Sequence, residues 1–126
     1  MPKTAKQMVE DADRSVPRIS GADGKALHGT PGTVFVDLRE PGEIAASGKV
    51  PGALAIPRGL LEFRAEPGGA STDPKLSGAE TVVLYCASGG RAALAGKTLQ
   101  ELGYKDVRNL ARFQDWMEAG GEAEKG

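Results

Sequence analysis

Two short runs, TVFVD (33–37) and TVVLYC (81–86), are apolar almost from end to end. A strand with one wet face alternates apolar and polar residues. These two do not, so each reads as buried on both faces. Strands of that kind belong in a mainly parallel sheet, because the crossover helices that parallel pairing requires also cover the sheet. The intervening segments fit this role. EPGEIAAS reads as a short helix with Pro41 suited to its first turn. GRAALAGKTLQELG reads as a longer helix, with Leu94, Thr98, Leu99 and Leu102 on one side and Gly103 just past its end.

The remaining segments extend the pattern. TAKQMVEDA predicts a helix with Thr4 as N-cap and Met8, Val9 and Ala12 on its apolar side. SVPRIS is suited to a short strand, and GADGKALHGTPG reads as a loop with at most one helical turn. ALAIP (53–57) is a third apolar run, stopped by proline, and RGLLEFRA looks helical. EPGGASTDPKLSG reads as a long irregular surface loop. DVRNL supplies a last strand and FQDWMEAG a last helix. Strands alternating with helices in 126 residues without repeats predict one α/β domain, over residues 4–124.

Composition narrows the function. A net charge of −1 gives no field for a nucleic acid or an anionic membrane. One cysteine excludes an internal disulfide, and one cysteine with one histidine excludes a Cys/His zinc site. The residues point to no metal and no cofactor. No apolar run approaches the roughly 20 residues of a membrane span, so the expectation is a soluble, cytoplasmic protein whose thiol stays reduced.

That thiol, Cys86, closes the most apolar run, and only Ala87, Ser88, Gly89 and Gly90 separate it from Arg91 and the following helix. In parallel sheets ligands bind beyond the carboxyl ends of strands, where Asp37 also lies. Two glycines free the backbone so that several amides can converge on one point, and the helix adds its unbonded N–H groups and positive dipole end. Such a cradle holds anions and favours a thiolate. A lone cysteine is otherwise often a small core residue. The succession of strand, cysteine, four small residues, arginine and helix favours the functional reading.

The chain resembles a single-domain rhodanese. VFVDLREPGEIAASGKVPGALAIP is similar to that family's first signature, with Asp37, Arg39 and Glu43 at its acidic and basic positions. LYCASGGRA resembles its active-site loop, and LGYKDVRNLARFQDWMEAGGE its closing signature with Trp116. The resemblance implies a five-stranded, mainly parallel sheet with helices on both faces. It implies a sulfurtransferase of the thiosulfate:cyanide type, in which Cys86 takes sulfur from a small anionic donor such as thiosulfate as a persulfide. A thiol or cyanide then accepts that sulfur. Ala87, Ser88, Gly89, Gly90 and Arg91 would bind the donor, with Arg91 as cation. Asp37 and Arg39 would organise the strand end, with an Arg39–Glu43 pair across the next turn, and Trp116 would pack in the core.

Some residues depart from the family pattern. Lys49 stands at a usual histidine, and Ala111 and Arg112 replace two glycines, Arg112 adding positive charge near the site or narrowing it. The loop has a single cation. His28 receives no role. Two alternatives stay open: a persulfide relay delivering sulfur to an acceptor protein, and a cysteine phosphatase. Phosphatases place arginine six positions after the nucleophile and a histidine before it; here the sixth residue is Ala92 and Tyr85 precedes the cysteine.

Overall fold

The computed structural model describes residues 2–126. Four parallel strands, β1 (Thr33–Asp37), β2 (Leu54–Ala55), β3 (Thr81–Cys86) and β4 (Asp106–Arg112), lie in the order β2-β1-β3-β4. The two fully apolar runs are thus the central pair, as burial on both faces requires. Seven α-helices accompany them among the described residues: α1 (Ala5–Ser15), α2 (Gly21–Leu27), α3 (Pro41–Ser47), α4 (Leu61–Ala65), α5 (Pro74–Ser77), α6 (Gly90–Glu101) and α7 (Phe113–Glu118). None is long and apolar enough to cross a membrane among the described residues.

Side chains alternate along β3. Val82, Leu84 and Cys86 join a layer with Val16, Ala92, Ala95 and Leu99, whereas Val83 and Tyr85 join Phe35, Leu110, Phe113 and Trp116. Two cores therefore sandwich the sheet, and each buried leucine or valine stabilises it by roughly 1.5–3 kcal/mol. The same alternation sends the Cys86 side chain toward α6 and away from Asp37.

The sheet has four strands rather than five. SVPRIS runs beside β4 but makes only one bridge, between Arg18 and Asn109. The Asn109 amide donates to Pro17 O (2.8 Å) and the Ile19 amide donates to Asn109 O (3.0 Å). Pro17 has no N–H to give, and Ser20 already caps α2 by accepting from the Asp23 amide. The ladder stops there.

Helix α2 replaces the expected loop. Its glycines, which read as loop formers, are contact residues. A Cβ at Gly21 would lie 2.1 Å from Asp115 O, and one at Gly24 would lie 2.8 Å from Leu110 Cδ1. The segment read as a long loop also contains α5, where Asp73 accepts the Lys75 amide (2.9 Å) and Pro74 opens the turn.

Helix α1 has the expected Thr4 cap, completed by the Gln7 side chain. Gly103 follows α6 at φ +102°, with the Tyr104 amide donating to Leu99 O and the Gly103 amide to Gln100 O. The buried side of α6 is Ala92, Ala93, Ala95, Gly96 and Leu99 rather than the leucine stripe; Leu94 and Thr98 are half-buried. Small residues are needed because α1 crosses close by: a Cβ at Gly96 would meet Val16 Cγ1 at 2.7 Å.

Candidate active site

Cys86 ends β3 and is fully buried, beneath the exposed Ala87 and Ser88. Gly89 takes a left-handed conformation, φ +97°, and caps α6. That turn aims its N–H back at the sulfur, donating to Cys86 Sγ over 3.0 Å. One amide therefore reaches bonding distance of the sulfur, instead of the several the glycine pair suggested. The N–H groups of Gly90, Arg91 and Ala92 form the first turn of α6 and have no backbone acceptor among the described residues.

Arg91 stands at this helix head, but its charge is engaged. Its Nη1 and Nη2 donate to the two carboxylate oxygens of Glu43, at 2.8 and 3.1 Å. These bonds, together with the Glu40 amide, lower the Glu43 pKa from 4.5 to about 2. The Arg91 pKa is raised, chiefly by the same bonds and with a smaller contribution from Cys86. The pair is about one-third exposed, so it contributes on the order of 0.5 kcal/mol. That contribution is present above pH 4.5 and fades as pH falls toward 2.

Glu43 thus pairs with Arg91, not with Arg39 as its sequence neighbourhood suggested. Arg39 turns to the other face of the sheet. There its Nε and Nη2 bind the Asp37 carboxylate, at 3.0 and 2.7 Å, with both residues almost wholly buried. Arg39 also donates to Ser47 Oγ and Gly48 O, and its guanidinium lies 4.4 Å from the Phe113 ring centroid. Burial disfavours its charge, but the bonds and charge of Asp37 outweigh that and raise its pKa. Burial, then the Asp37 charge, also pushes the Tyr85 phenol up. The phenol therefore stays protonated, and its oxygen accepts from the Val50 amide at 3.0 Å. Asp37 and Arg39 therefore brace the strand end from the face opposite Cys86.

The departure at Ala111 and Arg112 lies beside the cysteine. β4 bulges against β3: Leu84 pairs with Asn109 but Tyr85 with Ala111 and Cys86 with Arg112. Ala111 adopts φ +73°, a left-handed conformation normally given to glycine. The Asn109 side-chain oxygen accepts the Ala111 amide (2.7 Å) and holds it there. The Ala111 methyl then packs against the cysteine loop, 3.1 Å from where a Gly89 Cβ would be. Arg112 turns aside to Asp115, with Nη2 to Oδ1 at 2.6 Å. Ala111→Gly should raise stability by about 0.5–1 kcal/mol, net of glycine's entropy, measurable as an increased urea midpoint. An unchanged or lowered midpoint would show that the turn is unstrained.

Lys49 binds Ala53 O and Glu124, and His28 packs against Phe35 and Trp116 while its Nε2 meets Pro51 O. Trp116 is a core residue, 3% exposed. A cleft of about 380 Å³ lies at the amino ends of the strands, between Pro67, Glu80, Tyr104 and Lys105. It lies at the end of β3 opposite Cys86. Sequence reading missed Arg18 and Asn109 as neighbours of the loop. SVPRIS forms a single bridge rather than the expected strand, and its pairing with a segment some ninety residues later carries no local signal.

A buried thiol at the carboxyl end of a central parallel strand, bonded by the amide that opens the next helix, defines a cysteine-loop protein of the α/β class. A family model described as a rhodanese-like domain matches residues 20–119, and the chain belongs to that family. It is 33% identical over 110 residues to the thiosulfate:glutathione sulfurtransferase of Homo sapiens, covering 81% of this chain and 94% of that one. A structure from Rhodopseudomonas palustris, described as of unknown function and a "possible tyrosine phosphatase", superposes with a TM-score of 0.87 at 39% identity, over 98% and 99% of the chains. The polysulfide-sulfur transferase homodimer of Wolinella succinogenes gives 0.68 at 31% identity, over 94% and 85%.

Proposed function

We propose that this protein is a sulfurtransferase that carries sulfane sulfur on Cys86 from a thiosulfate-type anion to a low-molecular thiol. The observation that carries the reading is the Gly89 amide bonded to Cys86 Sγ at the head of α6. An amide and a helix terminus at one sulfur stabilise negative charge on it. The Cys86 thiolate attacks the outer sulfur of thiosulfate, the S–S bond breaks, and sulfite leaves with the bonding pair. The outer sulfur of the resulting persulfide is then taken by an acceptor thiol, whose proton ends on the new persulfide, and the Cys86 thiolate returns. The unbonded amides of Gly90, Arg91 and Ala92, with the exposed Ala87 and Ser88, surround the transferred sulfur.

The family resemblance implied the thiosulfate:cyanide type, with cyanide or a thiol as acceptor. The human relative's name instead puts glutathione first as acceptor, and the Wolinella relative's name supports polysulfide as a second donor class. Thiosulfate with glutathione should release sulfite and glutathione persulfide catalytically, and intact mass should show one added sulfur on Cys86. If neither thiosulfate nor polysulfide loads Cys86, the assignment is wrong.

The phosphatase reading has the Rhodopseudomonas description in its favour. Against it, only four residues separate Cys86 from Arg91, whose guanidinium is already bound to Glu43. Phosphate esters should not be hydrolysed. Release of p-nitrophenol from its phosphate ester, dependent on Cys86 and as fast as sulfur transfer, would reverse this choice.

A further inference from the structure

Holding a dianion beside a thiolate requires positive charge, and three of the arginines near the strand ends are already paired. Arg91 is bound to Glu43, Arg39 to Asp37 on the far face, and Arg112 to Asp115. Arg18 is different. Its side chain is 51% exposed, and its one carboxylate contact is a long bond from Nε to Asp13 Oδ1 at 3.4 Å. Neither Nη1 nor Nη2 has an acceptor among the described residues. Nη2 lies 3.5 Å from the point where a Gly89 Cβ would be, beside the residue whose amide holds Cys86 Sγ. With single bonds of about 1.5 Å, that places Nη2 within about 10 Å of the sulfur. The bridge between Arg18 and Asn109 fixes the backbone from which this side chain reaches over the loop.

We propose that Arg18, outside the cysteine loop, determines specificity by binding the anionic end of the sulfur donor. The inference rests on the sulfur-transfer reading above. In thiosulfate the sulfonate oxygens stand one S–S bond beyond the sulfur that is transferred. A guanidinium edge with two unpaired N–H groups matches two such oxygens, and the planar fork suits them better than an ammonium does. Asp13 holds Arg18 loosely until the donor displaces it. Arg18 acts on the donor, and an uncharged acceptor thiol such as 2-mercaptoethanol offers it no anion.

The test uses thiosulfate itself. Calorimetric titration of Cys86→Ser measures binding without reaction. Adding Arg18→Ala should weaken it about tenfold, adding Arg18→Lys should weaken it less, and adding Asp13→Asn should tighten it. With Cys86 intact, Arg18→Ala should raise KM for thiosulfate about tenfold. The rate at which preloaded Cys86 persulfide passes sulfur to 2-mercaptoethanol, an uncharged thiol, should not change. A merely structural role would slow both half-reactions, and that result, or unchanged thiosulfate affinity in Arg18→Ala, overturns the proposal. Arg18-dependent binding without persulfide on wild-type Cys86 would instead sustain the anion contact and sink the reaction assigned to it.

Discussion

Cys86→Ser will yield a folded protein that transfers no sulfur. The hydroxyl does not ionise near neutrality, and no other thiol exists in the chain to carry the persulfide. Turnover should fall at least about a thousandfold, the scale of loss when a covalent nucleophile is removed. The fold should pay little. Cys86 is wholly buried, so serine places a polar group in an apolar layer, at about 1–2 kcal/mol. The Gly89 amide, which now bonds the sulfur, remains as a partner for the hydroxyl and limits that penalty. Stability measured in urea and mass after thiosulfate separate the two effects. A serine variant that still turns over would show that the nucleophile lies elsewhere.

Asp37→Ala will produce the largest loss of stability, about 3–5 kcal/mol, without touching the cysteine face. Removing the carboxylate leaves the Arg39 guanidinium, 4% exposed, without its charge partner under Phe113 and Tyr85. Against a total stability of about 5–15 kcal/mol, such a loss brings the protein close to unfolding at ordinary temperature. The double variant Asp37→Ala with Arg39→Met should recover part of it, because no buried charge is then orphaned. Urea midpoints of the single and double variants decide the matter. A single-variant loss under about 1 kcal/mol would mean the pair behaves like a surface ion pair.

The contrast between these two positions shows how much of the site was legible. Cys86 and its loop could be read directly, because an apolar run, a thiol, small residues and a helix are local features. The pairing of Asp37 with Arg39 was within reach too, since the two are two residues apart. Their place on the face opposite Cys86 follows from strand alternation, but only once β1 and β3 are known to be neighbours. The Glu43 assignment failed for the complementary reason. Its neighbour Arg39 was the natural partner by spacing, yet Arg91, 48 residues away, reaches it from the head of α6. Gly21 and Gly24 misled in the same way: local reading sees flexible residues, whereas contact with α7 and β4 demands small ones.

By itself the sequence determined the burial of the two central strands and the succession of strand, cysteine loop and helix around Cys86. Each depends on residue types within a few positions of one another: unbroken apolar runs, caps, and glycines after a strand. The tertiary structure alone decided the electrostatics around the sulfur. It neutralised Arg91 with Glu43, turned Arg39 away to Asp37, and set Arg18 over Gly89 through the bridge to Asn109. Charge acts through space, at distances set by packing, and separation along the chain does not encode them.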